Sequence, residues 1–382
     1  MIRIDEIYDN TFWPWLEKNR PGFRFFYCFP FGRSDPESLK NLGRDDWHEH
    51  NYIVCFDQEP VDFVRHMPLF SEIIHRNSDI LPPYDVDEFP NFIGPKCQGY
   101  LLTSERDSAT VDLIEEKFGW KKLYYFYHGW AALDWYRGYD KTFLITPVDQ
   151  RQPTRTFIAP NRIIAGERQH RLEMLYWIFK LGLTDNHISC PEICPVEKIH
   201  IYDAIKPLEN RYPDIKDIFS AQQLPINFEG ETDHPMHSCW LSLFAEAADS
   251  LLYLVTETVA TGKRHHLTEK TFKPIALGMP FVISGTHGSL KYLRSYGFKT
   301  FGDIWDESYD DEPNDQLRIE KIAKLLKSLD DMGEDKLILF DSAKDIVKHN
   351  WDHFYNGGFE AILWDELQAM LNGIESSSGS SS

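Results

Sequence analysis

The chain has 382 residues, 42% hydrophobic and 14% aromatic, enough apolar surface to fill two ordinary cores. Its 60 acidic residues outnumber 40 basic ones for a formal charge of −20, a field that repels a phosphate backbone and makes nucleic acid a poor partner unless one basic cleft opposes the average. No run of about 18 apolar residues occurs, and the opening MIRIDEIYDN lacks a basic-then-apolar signal pattern, so we expect no membrane span and a cytoplasmic protein.

In chain order, the first 150 residues alternate strand and helix signals. FRFFYCF (23–29) and YIVCF (52–56) are short aromatic and β-branched runs bounded by Pro, Gly or Asp, the pattern of buried parallel strands. GYLLTS (99–104), the helical DSATVDLIEEKFG and the strand KLYYFYH (122–128) continue the series. Such alternation predicts a layered α/β domain whose chemistry collects at the carboxyl ends of its strands. Around residue 150, VDQRQPTRT has the composition of a linker. A second series follows: RTFIAP as a strand, a helix over 166–181 closed by Gly182, and SLLYLV (250–255) as a strand. KDIVKHNWDHFYNGGFEAILWDELQAMLNG predicts one or two terminal helices with Phe354, Phe359, Ile362, Leu363, Leu367 and Leu371 facing a core. Six scattered cysteines, Cys28, Cys55, Cys97, Cys190, Cys194 and Cys239, read as free thiols, the one close pair lacking a second pair at zinc spacing. The expected architecture is two Rossmann-like α/β domains facing a cleft, over 1–150 and 151–345. Helices over 346–375 return to the first domain, and SSSGSSS (376–382) is a flexible tail.

The densest signal is HHLTEKTFKPIALGMPFVISG (265–285). Thr268 is a good N-cap, Glu269 suits a first helical turn and Gly278 a stop before Pro280, predicting a helix over 269–277 despite Pro274, and a strand over 281–284. The strand SLLYLV ends at Thr256 and Glu257, so its carboxyl edge faces the loop that starts this helix. A helix N-terminus offers N–H groups and partial positive charge to a phosphate. Lys270 adds a full charge, and the Glu269 carboxylate suits a ribose diol. Lys263, Arg264, His265 and His266 raise the local potential against an acidic background. The plain alternative stays open: Glu269 as dipole complement and Lys270 as a solvated cation.

The order strand, Glu257, basic loop, Thr-Glu-Lys helix start, Gly-Met-Pro and strand resembles the donor-binding segment of GT-B glycosyltransferases, especially the family-ten, fucosyltransferase-like group and its phage relatives. The resemblance implies that Glu269 contacts the nucleotide ribose, Lys270 the diphosphate, and that Glu257 lies near the sugar, with Thr268 and His266 completing the donor site. ATGKRHH is an insertion relative to that group, and Thr258-Val259 stands where Asn-Ser is common, which leaves the donor's identity open. APNRIIAGERQHRLEMLYWIFKLGL (159–183) looks like the group's other donor signature. Its Arg162, Arg168, His170 and Arg171 crowd a strand-to-helix loop where arginine forks hold phosphate oxygens, salt bridges to Glu167 and Glu173 being the rival.

Sugar transfer without a metal needs the leaving diphosphate neutralised and a base for the acceptor hydroxyl. YIVCFDQEP places Asp57 and Glu59 just after a buried strand, a pattern the phage relatives share, and Glu59 is the preferred base with Asp57 its rival. HGWAALDWYRGYD (128–140) offers aromatic faces and polar hooks for an acceptor, with His128, Trp130 and Asp134 as contacts, although packing is the commoner use of such a tryptophan. DESYDDE (306–312) reads as an exposed acidic loop. Asp85-Val86-Asp87 sits between prolines, not at a strand end, and is read as a loop rather than a metal motif; GxxxxGK[ST] and strand-flanked GxGxxG are absent. The expectation is a metal-independent, inverting glycosyltransferase. It needs no cofactor beyond its nucleotide-sugar donor, takes a carbohydrate or other hydroxyl acceptor, and acts in the cytoplasm of a bacterium or a phage-infected host cell. A DNA-base-modifying glycosyltransferase and a non-catalytic nucleotide-sugar-binding module on the same fold are the alternatives.

Overall fold

The computed structural model describes residues 3–19, 23–27, 51–61, 99–138, 142–228 and 240–376. Cys28, Cys97, Cys239 and the Asp85-Val86-Asp87 tripeptide lie outside them. The fold is α/β, built on parallel sheets. Contacts divide the chain into two compact units, one of Ala131–Gly262 and Leu267–Ala361, the other of Ile2–Trp130, Lys263–His266 and Ile362–Ser382. Among the described residues no helix is long and apolar enough to cross a membrane.

The second of these units carries a sheet of β1 (Phe23–Tyr27), β2 (Asn51–Phe56), β3 (Gly99–Thr103) and β4 (Lys121–Tyr124) in that order, all parallel. Ile53, Val54, Cys55 and Phe56 of β2 and Leu101 and Leu102 of β3 are buried, as strands covered on both faces require. Between β3 and β4 runs the Ala109–Phe118 helix, started by the Ser108 side chain accepting from the Val111 N–H and stopped by Gly119 at φ 76°. The sequence reads KLYYFYH as one strand, but β4 ends at Tyr124 and a helix, Tyr127–Gly138, has begun before His128. Tyr125, Phe126 and Tyr127 are all buried at this corner, so their aromatic run serves a packed turn and not an extended ladder.

The other unit holds β5 (Arg155–Ala159), β6 (His187–Ile188), β7 (Ser250–Thr256) and β8 (Phe281–Ser284), parallel and ordered β6-β5-β7-β8. The chain leaves β5 toward β6 on one side and returns as β7 on the other. The carboxyl ends of β5 and β7 therefore lie side by side at a topological switch point, where open α/β sheets hold their ligands. Every residue of β7 is buried. The Glu269–Ala276 helix survives its internal Pro274 because Phe272, Ile275 and Ala276 bury its apolar face; the Phe272 ring stacks on Phe359 at 5.1 Å. The Lys336–Tyr355 and Gly358–Ser376 helices close the chain, and Phe354, Phe359, Leu363, Leu367 and Leu371 are buried as their spacing predicts, with Ile362 half-buried.

One detail corrects the sequence reading and another extends it. Tyr309 and Asp310, expected in an exposed acidic loop, are buried, and the Asp310 carboxylate accepts from the Leu290 and Lys291 N–H groups at 3.0 and 3.3 Å. Gly278 does more than stop a helix: at φ +64° an added Cβ would meet a Trp351 ring carbon at 3.2 Å. Gly278→Ala is therefore expected to cost about 1–2 kcal/mol in urea unfolding, from left-handed backbone and steric contact together; an unchanged midpoint would contradict it.

Candidate functional site

The end of β7 is built around one carboxylate. Glu257 is fully buried, and its oxygens accept from the Thr258 N–H at 3.0 Å, the Thr268 N–H at 3.1 Å, the Thr268 hydroxyl at 2.6 Å and the Thr271 hydroxyl at 2.5 Å. Four donors saturate it, so Glu257 acts as the anchor that ties the Glu269–Ala276 helix to the strand end. The sequence reading placed it near a sugar; its oxygens are spent on protein.

Arg171 does the matching work from the other strand. It is 4% exposed, and its guanidinium donates to the Ile163 carbonyl at 2.9 Å, the Thr256 carbonyl at 3.0 Å and the Glu257 carbonyl at 3.2 Å. Those bonds clamp the loop after β5 to the end of β7. Its terminal nitrogens were expected to fork a phosphate and instead hold backbone, which makes Arg171 a strut with a charge. Burial above all, then the neighbouring Arg168 guanidinium, pulls its pKa down to about 9, while Glu257 and Glu269 pull the other way. Two further side chains complete the clamp. Asn161 accepts from the Thr256 hydroxyl at 2.9 Å, and the His170 ring nitrogen Nε2 lies 2.9 Å from the Glu257 carbonyl oxygen.

Lys270 rises from the same turn. Its ammonium donates to Glu269 Oε1 at 2.6 Å and to the Thr258 hydroxyl at 3.1 Å, and its side chain is 29% exposed. Arg171 and Lys270 thus converge on the Glu257-Thr258 turn, with Arg168 and Arg162 half-buried on the loop beside them. The helix N-terminus itself is largely satisfied: the Thr268 N–H goes to Glu257, the Lys270 N–H to the Thr268 hydroxyl and the Thr271 N–H to the Thr268 carbonyl. The charge available to an anion therefore comes from side chains more than from the helix dipole.

A second cluster belongs to the other unit. Asp57 follows β2, fully buried; Tyr8 donates its hydroxyl to Oδ2, and Oδ1 has no partner. Burial drives its pKa up from 3.8 to about 6 against the pull of the Tyr8 hydroxyl, Cys55 and His128. Glu59 is only half-buried. His128 is buried, its Nε2 lying 2.8 Å from the Gln58 carbonyl oxygen and its ring edge-on to His266 at 5.1 Å; His266 Nδ1 in turn is 3.3 Å from the Ser104 hydroxyl. Trp130 is 1% exposed and packs on Trp364 at 4.7 Å, so it is a core residue with no face left for an acceptor. Asp134 is half-buried farther along the Tyr127–Gly138 helix, past the division between the units.

The basic stretch Lys263–His266 also departs from expectation. It groups with the unit that contains Asp57, where Arg106 and His265 exchange backbone hydrogen bonds of 2.9 and 2.7 Å and the Arg264 guanidinium lies 3.2 Å from the buried Glu105 carboxylate. The charge of Arg264 is answered there, and His266 belongs with His128. The sequence had assigned both arginine and histidine to the donor loop; the clamp residues Asn161, Thr258 and Thr271 and the Tyr8 partner of Asp57 it did not single out. Asn161 sits inside the APNRI motif, the one signal that could have found it. Tyr8 precedes Asp57 by 49 residues and carries no local mark. Among the described residues no three His, Cys, Asp or Glu side chains gather as metal ligands would. Compared with known proteins, the chain matches no family model, no curated protein and no solved structure.

Proposed function

We propose that the chain is a glycosyltransferase of the GT-B kind that moves a sugar from a nucleotide-diphosphate donor to a hydroxyl acceptor with inversion. The observation that carries this reading is the gathering of Arg168, Arg171 and Lys270 around the Glu257-Thr258 turn, at the switch point between β5 and β7. A leaving diphosphate needs positive charge held in place before the bond breaks, since preorganised charge stabilises the transition state without reorganising. Lys270, its side chain 29% exposed, supplies that charge, and the buried Arg171 fixes the two strand ends that position it. Glu269 is buried and bonded to Lys270, so its part is to hold that ammonium in place.

The acceptor hydroxyl must lose its proton as the glycosidic bond forms, and the strand end after β2 supplies the base. Two carboxyls stand there, Asp57, fully buried with its pKa raised to about 6, and Glu59, half-buried two residues on; the Asp57→Asn variant separates them.

The test is thermal stabilisation by a panel of GDP-, UDP-, CMP- and dTDP-sugars, because a ligand that binds only the native state raises its apparent stability. One donor is expected to shift the midpoint. Lys270→Met should weaken that donor by about 10–100-fold, the loss of one or two charge-assisted hydrogen bonds, and should also lower the unliganded midpoint, because the buried Glu269 carboxylate loses its ammonium partner. Silence across the panel at millimolar concentration, or unaltered affinity in Lys270→Met, would remove the reading's support.

A further inference from the structure

A cavity of about 420 Å³ opens in the β5–β8 unit, away from the carboxyl ends of its strands, lined among others by Ile145, Thr146, Val347, Trp351 and Arg151. Its volume falls in the range of small-molecule sites, and like them it is mostly apolar with a few polar groups. Arg151 is 5% exposed; its Nε donates to the Thr146 carbonyl at 2.7 Å and one terminal nitrogen to the Leu277 carbonyl. The other terminal nitrogen, NH1, is buried with no acceptor, and no carboxylate pairs with this guanidinium among the described residues. Lys348 and Asp149, which also line the cavity, neutralise each other at 3.0 Å. A buried cationic edge without an acceptor is costly to leave unmatched, and the cost disappears when an anionic oxygen fills the place. Trp351 adds an indole at the wall, and Gly278 lets the backbone approach it where a side chain would not fit. Asp352 in the lining disfavours a ligand with two negative charges, so a phosphate fits less well than a single carboxylate.

We propose that this cavity binds a small planar aromatic carboxylate, its ring against Trp351 and its carboxylate on the Arg151 guanidinium. The site is independent of the donor site, and its ligand carries no nucleotide, so either reading can fail while the other stands.

Calorimetric titration of the full chain with indole-3-acetate and with tryptophol, which keeps the ring and replaces the carboxylate by a hydroxyl, tests it without any variant. Indole-3-acetate is expected to bind with Kd below about 1 mM and tryptophol at least about tenfold more weakly. Val347→Phe, which narrows the cavity and leaves Arg151 in place, should abolish binding while circular dichroism shows the fold retained. Arg151→Met should lose the preference for the acid, although it also strips two carbonyls of donors and is read only where it folds. Equal affinity for the two ligands, no binding of either at about 1 mM, or full binding in a folded Val347→Phe would each overturn the proposal.

Discussion

Glu257→Gln is expected to lower the unfolding free energy of the β5–β8 unit by about 3 kcal/mol and to take nucleotide-sugar binding with it. Each carboxylate oxygen accepts one backbone N–H and one hydroxyl: Oε1 from Thr268 and Thr271, Oε2 from Thr258 and Thr268. A hydroxyl can rotate and become an acceptor; a backbone N–H cannot. Whichever way the Gln amide is turned, its NH₂ faces a fixed N–H donor inside a fully buried site, with loss of at least one charge-assisted bond and an unsatisfied donor left behind. The Thr268 cap loosens, and Lys270 with it. Urea unfolding of both proteins at pH 7 gives the stability difference, and donor-induced stabilisation of the variant gives the second half. A loss under about 1 kcal/mol would mean that the carboxylate is not the anchor the geometry makes it.

Asp57→Asn should move stability and activity in opposite directions. The folded chain holds this carboxyl at about 6 against 3.8 in water, so near pH 8 it carries a buried carboxylate at a cost of about 3 kcal/mol relative to the unfolded chain. As pH falls through 6 the folded state takes up a proton before the unfolded state does, and wild-type stability rises until the unfolded group protonates near 4. Asparagine keeps an acceptor for the Tyr8 hydroxyl and carries no charge. The variant is thus expected to be more stable than wild type at pH 8, by about 3 kcal/mol less the cost of an amide NH₂ placed where Oδ1 has no partner, and to lose that advantage below about pH 4. Turnover of whichever sugar nucleotide the panel identifies should fall by about 10²–10⁴-fold, the usual loss of a general base, with donor affinity intact. Retained turnover would return the role to Glu59, and a variant less stable at pH 8 would refute the buried carboxylate.

Both predictions rest on features that a linear reading reached unevenly. β7, β8 and the intervening helix were legible because their signals are local: an unbroken apolar run, a Thr N-cap, a Gly stop at φ +64°. Arg171 and Lys270 were legible as a pair by charge and position, yet their roles were not. The same guanidinium that suits a phosphate also suits three carbonyls, and only the side-by-side ends of β5 and β7 bring those carbonyls within 3.2 Å. KLYYFYH shows the reverse failure: aromatic residues favour strands, but burial of Tyr125, Phe126 and Tyr127 at a corner overrode that preference.

By itself the sequence determined the α/β class, the existence of most strands, the core face of the terminal helices and the two regions where polar chemistry collects, because strand runs, caps and helical periodicity are written within a few neighbouring residues. Tertiary structure alone decided which charges are available. It saturated Glu257 with threonines, gave Arg264 to Glu105, sent His266 to His128, buried Trp130 against Trp364 and isolated Asp57 beside Tyr8. The reason is that a side chain's electrostatics depends on burial and on partners tens or hundreds of residues away, and neither quantity is a property of the segment that carries it.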